Sequence, residues 1–273
     1  MQMRKTIIVL LALLLAAMAM VPVVSAADAC DEQMKKWQDD HTIRVTKTVS
    51  QKYSEGILTI ETTFRGKELT DRYGIDTFTQ KKELKIPAEE AEKLKLKSDK
   101  LVLGTSEISG VFTAADDPPP APKSGYPIWL YAESGGVYYQ TGDPINMIWS
   151  GASLYAVKLE MFEEGWYDYP AEYFYYIYDG GWKVGDGVAD DILRLFGGYH
   201  IRLWQLSTGE IVGAAHHDTA VPHSADEFEW AEDSITDFYT DFYMWHVYPD
   251  NIYLGNSVAS PYSNGYAAYI GYW

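Results

Sequence analysis

Apolar and polar residues alternate from Ile43 onward. Ile43, Val45 and Val49 punctuate a Thr/Lys-rich run, and Leu58, Ile60, Thr62 and Phe64 recur at every second position. Period two is the signature of strands with one buried face. Residues 86–97 break it: Pro87 stands at a first helical position, Glu89, Glu90 and Glu92 come early and Lys93 and Lys95 late, which predicts a short helix. Residues 101–103 and 108–112 return to extended structure. The polar stretch 31–42 reads as a frayed lead-in. Residues 27–115 therefore form a small β-rich module, with no catalytic constellation in its sequence.

Asp116-Asp117-Pro118-Pro119-Pro120-Ala121-Pro122 interrupts the pattern with a composition that favours extended polyproline geometry. Residues 116–126 read as a linker, and 127–273 as a second domain. There, Tyr138-Tyr139-Gln140, a Gly142-Asp143-Pro144 turn and an apolar run at 145–149 predict a hairpin. A helix follows, with Leu154, Val157 and Met161 on one stripe, Tyr155, Leu159 and Phe162 on the next, Ser150 or Ser153 as cap and Gly165 as stop. The aromatic run at 173–178 suits a strand. A second helix is expected over 225–242: Ser224 and Glu227 have capping-box spacing, and Phe228, Ala231, Ile235, Phe238 and Phe242 share one face. The uncharged tail from Ile252 carries an Asn264-Gly265 turn and is expected to pair back into the sheet. The expected class is α+β: a mainly antiparallel C-terminal sheet with two amphipathic helices, preceded by the β-rich module.

Composition adds an address. Residues 1–26 have a basic start at Arg4 and Lys5, an apolar run over 6–20 and the small-residue pattern Val24-Ser25-Ala26, which together read as an export signal cleaved after Ala26. An uncleaved anchor is the alternative. Cys30 is the single cysteine, so an internal disulfide is excluded. Ala27-Asp28-Ala29-Cys30 lacks the upstream leucine of a lipidation box. The expected location is secreted or at the cell surface.

The charge of −17 is unevenly spread. Residues 27–117 hold 15 Lys+Arg against 18 Asp+Glu, and residues 118–273 hold 5 against 21. The second half repels nucleic acid and anionic lipid, which excludes nucleic acid as a partner. Twenty of the 22 tyrosines also lie after residue 117, pointing to an envelope protein or polymer as partner.

Four of the six histidines fall between His200 and Asp233. Residues 200–206 and 211–218 read as two strands joined at Thr208-Gly209. A two-residue turn there places Leu206 opposite Ile211, Trp204 opposite Gly213, Arg202 opposite Ala215 and His200 opposite His217. Facing side chains sit roughly 4.5–5.5 Å apart, close enough for two imidazoles to share an ion. The expected metal ligands are His200, His217 and His223, with Asp218 as an oxygen ligand or a partner to one of them, and a divalent ion such as zinc as the cofactor. Arg202 and Trp204 would contact a ligand above the small residues Gly213 and Ala215. In a hydrolase, Asp218 or Glu210 would stand near the metal-bound water. A polar cluster that merely fixes the hairpin fits the same residues. A slip of one residue would put His216 in place of His217. No His-Glu-x-x-His, Gly-x-Ser-x-Gly or phosphate-binding glycine loop occurs. The pairs Glu163-Glu164 and Asp190-Asp191 read as surface.

His200-Ile201-Arg202-Leu203-Trp204, Gly213-Ala214-Ala215-His216-His217-Asp218, His223 before an acidic helix, and Gly165-Trp166 together resemble the LssY-type C-terminal domain of bacterial and archaeal envelope proteins. The resemblance covers roughly residues 140–243. It implies a domain with a suggested link to secretion and membranes, and no established activity. Tyr199 stands where members often have a first histidine, and Glu232 or Asp233 where they often have arginine. The membrane-embedded segments often fused to that domain have no counterpart here. The sequence thus points to an exported protein that binds a ligand or partner through its C-terminal domain, with a metal-dependent hydrolase as the alternative.

Overall fold

A computed structural model describes residues 26–273 other than 94, 99, 169–173, 192–196, 220–224 and 241–242. The expected export signal thus lies almost wholly outside the described residues. The segment expected to fray is instead helix α1 (Ala26–His41). Its last turn is held by side chains four residues apart: the Trp37 and His41 rings stack at 4.3 Å, and His41 Nδ1 donates to the Trp37 carbonyl at 2.7 Å.

Strands β1 (Thr42–Ser54) and β2 (Ile57–Arg65) follow, then α2 (Lys67–Tyr73), β3 (Phe78–Lys85) and α3 (Ala88–Lys93). α3 is shorter than 86–97. β4 (Leu101–Ala114) joins into one strand what the sequence pattern divides into two. Beyond the prolines come β5 (Trp129–Ser134), β6 (Val137–Pro144), β7 (Met147–Ser150), α4 (Leu154–Glu163), β8 (Tyr176–Tyr178) and β9 (Trp182–Val184). One eight-stranded sheet has the order β3-β2-β1-β4-β6-β5-β8-β9. Phe112 of β4 pairs with Tyr139 of β6, so the sheet runs across the proline-rich segment.

The remaining elements are β10 (Gly187–Asp190), β11 (Gly197–Gln205), β12 (Ile211–Thr219), β13 (Ala225–Glu227), α5 (Glu229–Thr240), β14 (Trp245–Tyr253), β15 (Val258–Ala259), β16 (Tyr262–Ser263) and β17 (Tyr266–Tyr272). The second sheet has the order β10-β11-β12-β7-β17-β14, with β13 beside β12. The hairpin expected at Gly142-Asp143-Pro144 does not form. β6 continues through Pro144, the chain crosses sheets at Ile145-Asn146, and β7 runs parallel to β17 and antiparallel to β12. The apolar run explains this: Ile145, Met147, Ile148 and Trp149 are all fully buried, as a central strand covered on both faces requires.

α4 is capped as expected, Ser153 Oγ accepting from the Ala156 amide at 3.2 Å. α5 begins at Glu229 rather than 225, because Ala225–Glu227 pair with His217 and Asp218 of β12 instead. The expected cap at Ser224 and the last helical residue, Phe242, lie outside the described residues. The chain is α+β and mostly antiparallel. α4 and α5 cover one face of the second sheet through Val157, Met161, Ala231, Ile235 and Tyr239, which pack on Trp149, Ile201 and Leu203. The opposite face meets the first sheet through Ile148, Trp204, Val212 and Ala214. The candidate site lies on this inter-sheet face. No helix among the described residues is long and apolar enough to cross a membrane.

Candidate functional site

The β11–β12 turn decides which histidines meet. Leu206 N donates to Glu210 O at 2.7 Å and Gly209 N to Leu206 O at 3.0 Å, with Gly209 at φ +95°. This is a three-residue loop, Ser207-Thr208-Gly209, whose last position needs the left-handed conformation that glycine tolerates. The third loop residue shifts the ladder by one from the expected register. His200 faces His216, Tyr199 faces His217, Arg202 faces Ala214, and Trp204 faces Val212. Period two then puts His200, Arg202, Trp204, His216 and Asp218 on the inter-sheet face, and His217 on the other.

Gly213 consequently opens no space beside Trp204. It faces Leu203 on the helix-covered side, where an added Cβ would lie 2.6 Å from Ile201 Cδ1 and 2.9 Å from Trp149 Cζ3. The glycine lets those two side chains close over the strand.

Three donors converge on the inter-sheet face. His200, His216 and Asp218 are all buried, and one ligand atom from each lies within 4.8 Å of the others. His200 Nδ1 is 3.4 Å from Asp218 Oδ2, and His216 Nε2 is 3.4 Å from Asp218 Oδ1. The two imidazole centroids are 3.9 Å apart. Donors bound to one zinc ion at about 2.0–2.2 Å stand roughly 3.3 Å from each other in tetrahedral geometry, so small side-chain shifts would suffice for coordination. Both ring nitrogens of His200 and Nδ1 of His216 are buried without a hydrogen-bond partner, a costly arrangement that a bound cation would relieve.

Protonation suits the same role. Desolvation, reinforced by His216 and opposed by Asp218, holds His200 well below the usual imidazole range, which leaves the neutral ring that binds metals. Burial alone would raise Asp218, but the two imidazoles and Lys82 outweigh it and hold the carboxyl well below its usual range. Asp190, expected at the surface, is fully buried and directly opposite His200 on β10, adding a carboxylate to the same face.

The other expected site residues are dispersed. His217 Nδ1 pairs with Asp226 Oδ1 at 2.6 Å near the surface. His223 lies outside the described residues. Trp204 points the expected way but is buried in the inter-sheet core rather than on a cavity wall. Glu210, at the far end of β12, accepts from Tyr126 Oη and stands roughly 25 Å along the strand from Asp218.

Arg202 does line a cavity. A space of about 360 Å³ separates the sheets, bounded by Arg202, His216 and Asp218 on one side and Lys47, Gln80 and Lys82 on the other. The Arg202 guanidinium lies 4.0 Å from the centre of the Tyr175 ring, a cation–π contact, and 4.0 Å from Asp143 Oδ2. Lys47, Gln80 and Lys82 are cavity residues that the sequence reading passed over. Their signal was present: they are polar residues at inward positions of strands that otherwise point mainly apolar residues such as Val45, Phe78 and Leu84 inward. No family model matches this chain, nor does any curated protein or solved structure.

Proposed function

We propose that this is an exported envelope protein, secreted or held at the cell surface, that binds a ligand in the inter-sheet cavity, with a divalent transition metal such as zinc held by His200, His216 and Asp218. The observation that carries this reading is the convergence of three buried donors, two of which line a cavity. A volume of about 360 Å³ suits a small molecule. The sequence supports the address through its export signal. The resemblance to LssY-type C-terminal domains supports an envelope setting. Exposed aromatics, including Tyr243, Tyr248, Tyr253 and Trp273, favour a polymer or protein partner on the outer surface.

A second reading, a metal-dependent hydrolase, is favoured by one feature. Three protein ligands would leave further coordination positions, and His216 and Asp218 face open space, where a bound water could be activated.

Elemental analysis of the purified mature chain after dialysis is expected to find about one zinc or similar ion per chain. A metal-free protein that takes up none from micromolar zinc would overturn the metal reading. Hydrolysis of ester and phosphate-ester probes that rises with zinc loading would select the second reading over simple binding.

A further inference from the structure

The first sheet presents an inward face that is apolar at both ends and polar in the middle. Val45, Phe64 and Phe78 belong to one apolar cluster, and Leu58, Leu84 and Ile86 to another. Between them, the register aligns Lys47 with Phe64, Thr62 with Gln80, and Ile60 with Lys82. Lys47, Gln80 and Lys82 therefore occupy core-facing strand positions, and all three line the cavity. Gln80 Nε2 is buried without a hydrogen-bond partner.

Arg202 approaches from the opposite wall, only 3% exposed although it is one of just five Lys+Arg after residue 117. The lining thus offers three cationic side chains and a spare amide donor, against the carboxylates of Asp143 and Asp218. This is a donor-rich space inside a chain of charge −17. Guanidinium, ammonium and amide donors placed on two facing walls match a compact group with several acceptor oxygens.

We infer that the cavity recognises a small oxyanion-bearing ligand, a phosphate or carboxylate group held between Lys47, Gln80 and Lys82 on one sheet and Arg202 on the other. This rests on the binding reading of the cavity but not on the metal. An ion at His200, His216 and Asp218 would add positive charge at the edge of the same space, strengthening oxyanion binding without being required for it.

Titration calorimetry on the full mature chain with inorganic phosphate, with malonate and with a neutral sugar, each with and without zinc, tests this. Phosphate or malonate is expected to bind, and the sugar at least tenfold more weakly. The one that binds more tightly identifies the source of the oxyanion. The Lys47→Gln/Lys82→Gln double variant is expected to weaken that binding at least tenfold while keeping the wild-type zinc content. Because both lysines sit among core strands, the thermal midpoint of the variant is measured in parallel, and Lys82→Arg, which keeps the charge, is expected to retain binding within a few fold. Equal affinity for oxyanions and sugar, or unchanged oxyanion affinity in a folded double variant, would overturn the inference. Absence of zinc alongside lysine-dependent oxyanion binding would overturn only the metal reading.

Discussion

Glu232→Gln is expected to stabilise the protein by on the order of 3 kcal/mol at pH 7, and by more as the pH approaches 9. Glu232 is 3% exposed on α5, and its Oε2 has no hydrogen-bond partner. Desolvation first, then Glu229, Asp250 and Asp233, push its pKa from 4.5 to about 9, against an opposing pull from the Ala268 amide. Below pH 4.5 the folded and unfolded chains both carry the proton, and the residue costs nothing. Between 4.5 and 9 only the folded chain carries it, so stability falls by up to about 1.4 kcal/mol per pH unit. His200 runs the other way: its pKa is depressed in the fold, so stability falls as pH drops below its ordinary 6.5. The two slopes oppose each other between pH 4.5 and 6.5, and above 6.5 His200 no longer opposes the Glu232 slope. Denaturation midpoints between pH 6.5 and 9 should therefore fall steeply for wild type and much less for the variant, since glutamine does not ionise. Parallel profiles would show that Glu232 is ionised at no such cost.

Asn146→Ala is expected to destabilise by about 3 kcal/mol. Asn146 sits where the chain crosses sheets, and its side chain takes the place of a missing strand. Its Oδ1 accepts from Ala215 N at 2.8 Å, and Nδ2 donates to Ala215 O at 3.0 Å and Phe228 O at 3.4 Å. β7 pairs with β12 only over Ile211, Val212 and Gly213, so Ala215 depends on this amide for its ladder bonds. Truncation would leave two buried backbone groups of Ala215 unpaired, each costing about 1–3 kcal/mol. Because Ala215 precedes His216, weaker zinc retention should accompany the lost stability. Chemical denaturation measures the first effect. A loss below 1 kcal/mol would mean that water or a shifted backbone replaces the amide.

Strands were legible in the sequence wherever one face is buried, as in the alternation from Ile43 to Phe64. The apolar run at residues 145–149 announced burial but not its partner. Its place between β12 and β17 depends on contacts more than sixty residues away. Residues 225–227 read as helix because their polar character fits a first turn, yet pairing with His217 and Asp218 claims them as strand. The histidine site turned on a single residue of loop length. Strand alternation placed His200 and Arg202 on one face, but the choice of His216 and Asp218 over His217 required knowing that Gly209 closes a three-residue loop. Lys47, Gln80 and Lys82 were legible only as polar residues at inward positions, since a strand pattern does not say which second sheet its buried face will meet.

The most direct measurement is zinc content per chain, by elemental analysis after dialysis, in His216→Ala and His217→Ala side by side. His216→Ala is expected to lose the ion, while His217→Ala, altered only near the surface at Asp226, keeps about one per chain. Loss in His217→Ala with retention in His216→Ala would contradict both the register and the site built on it.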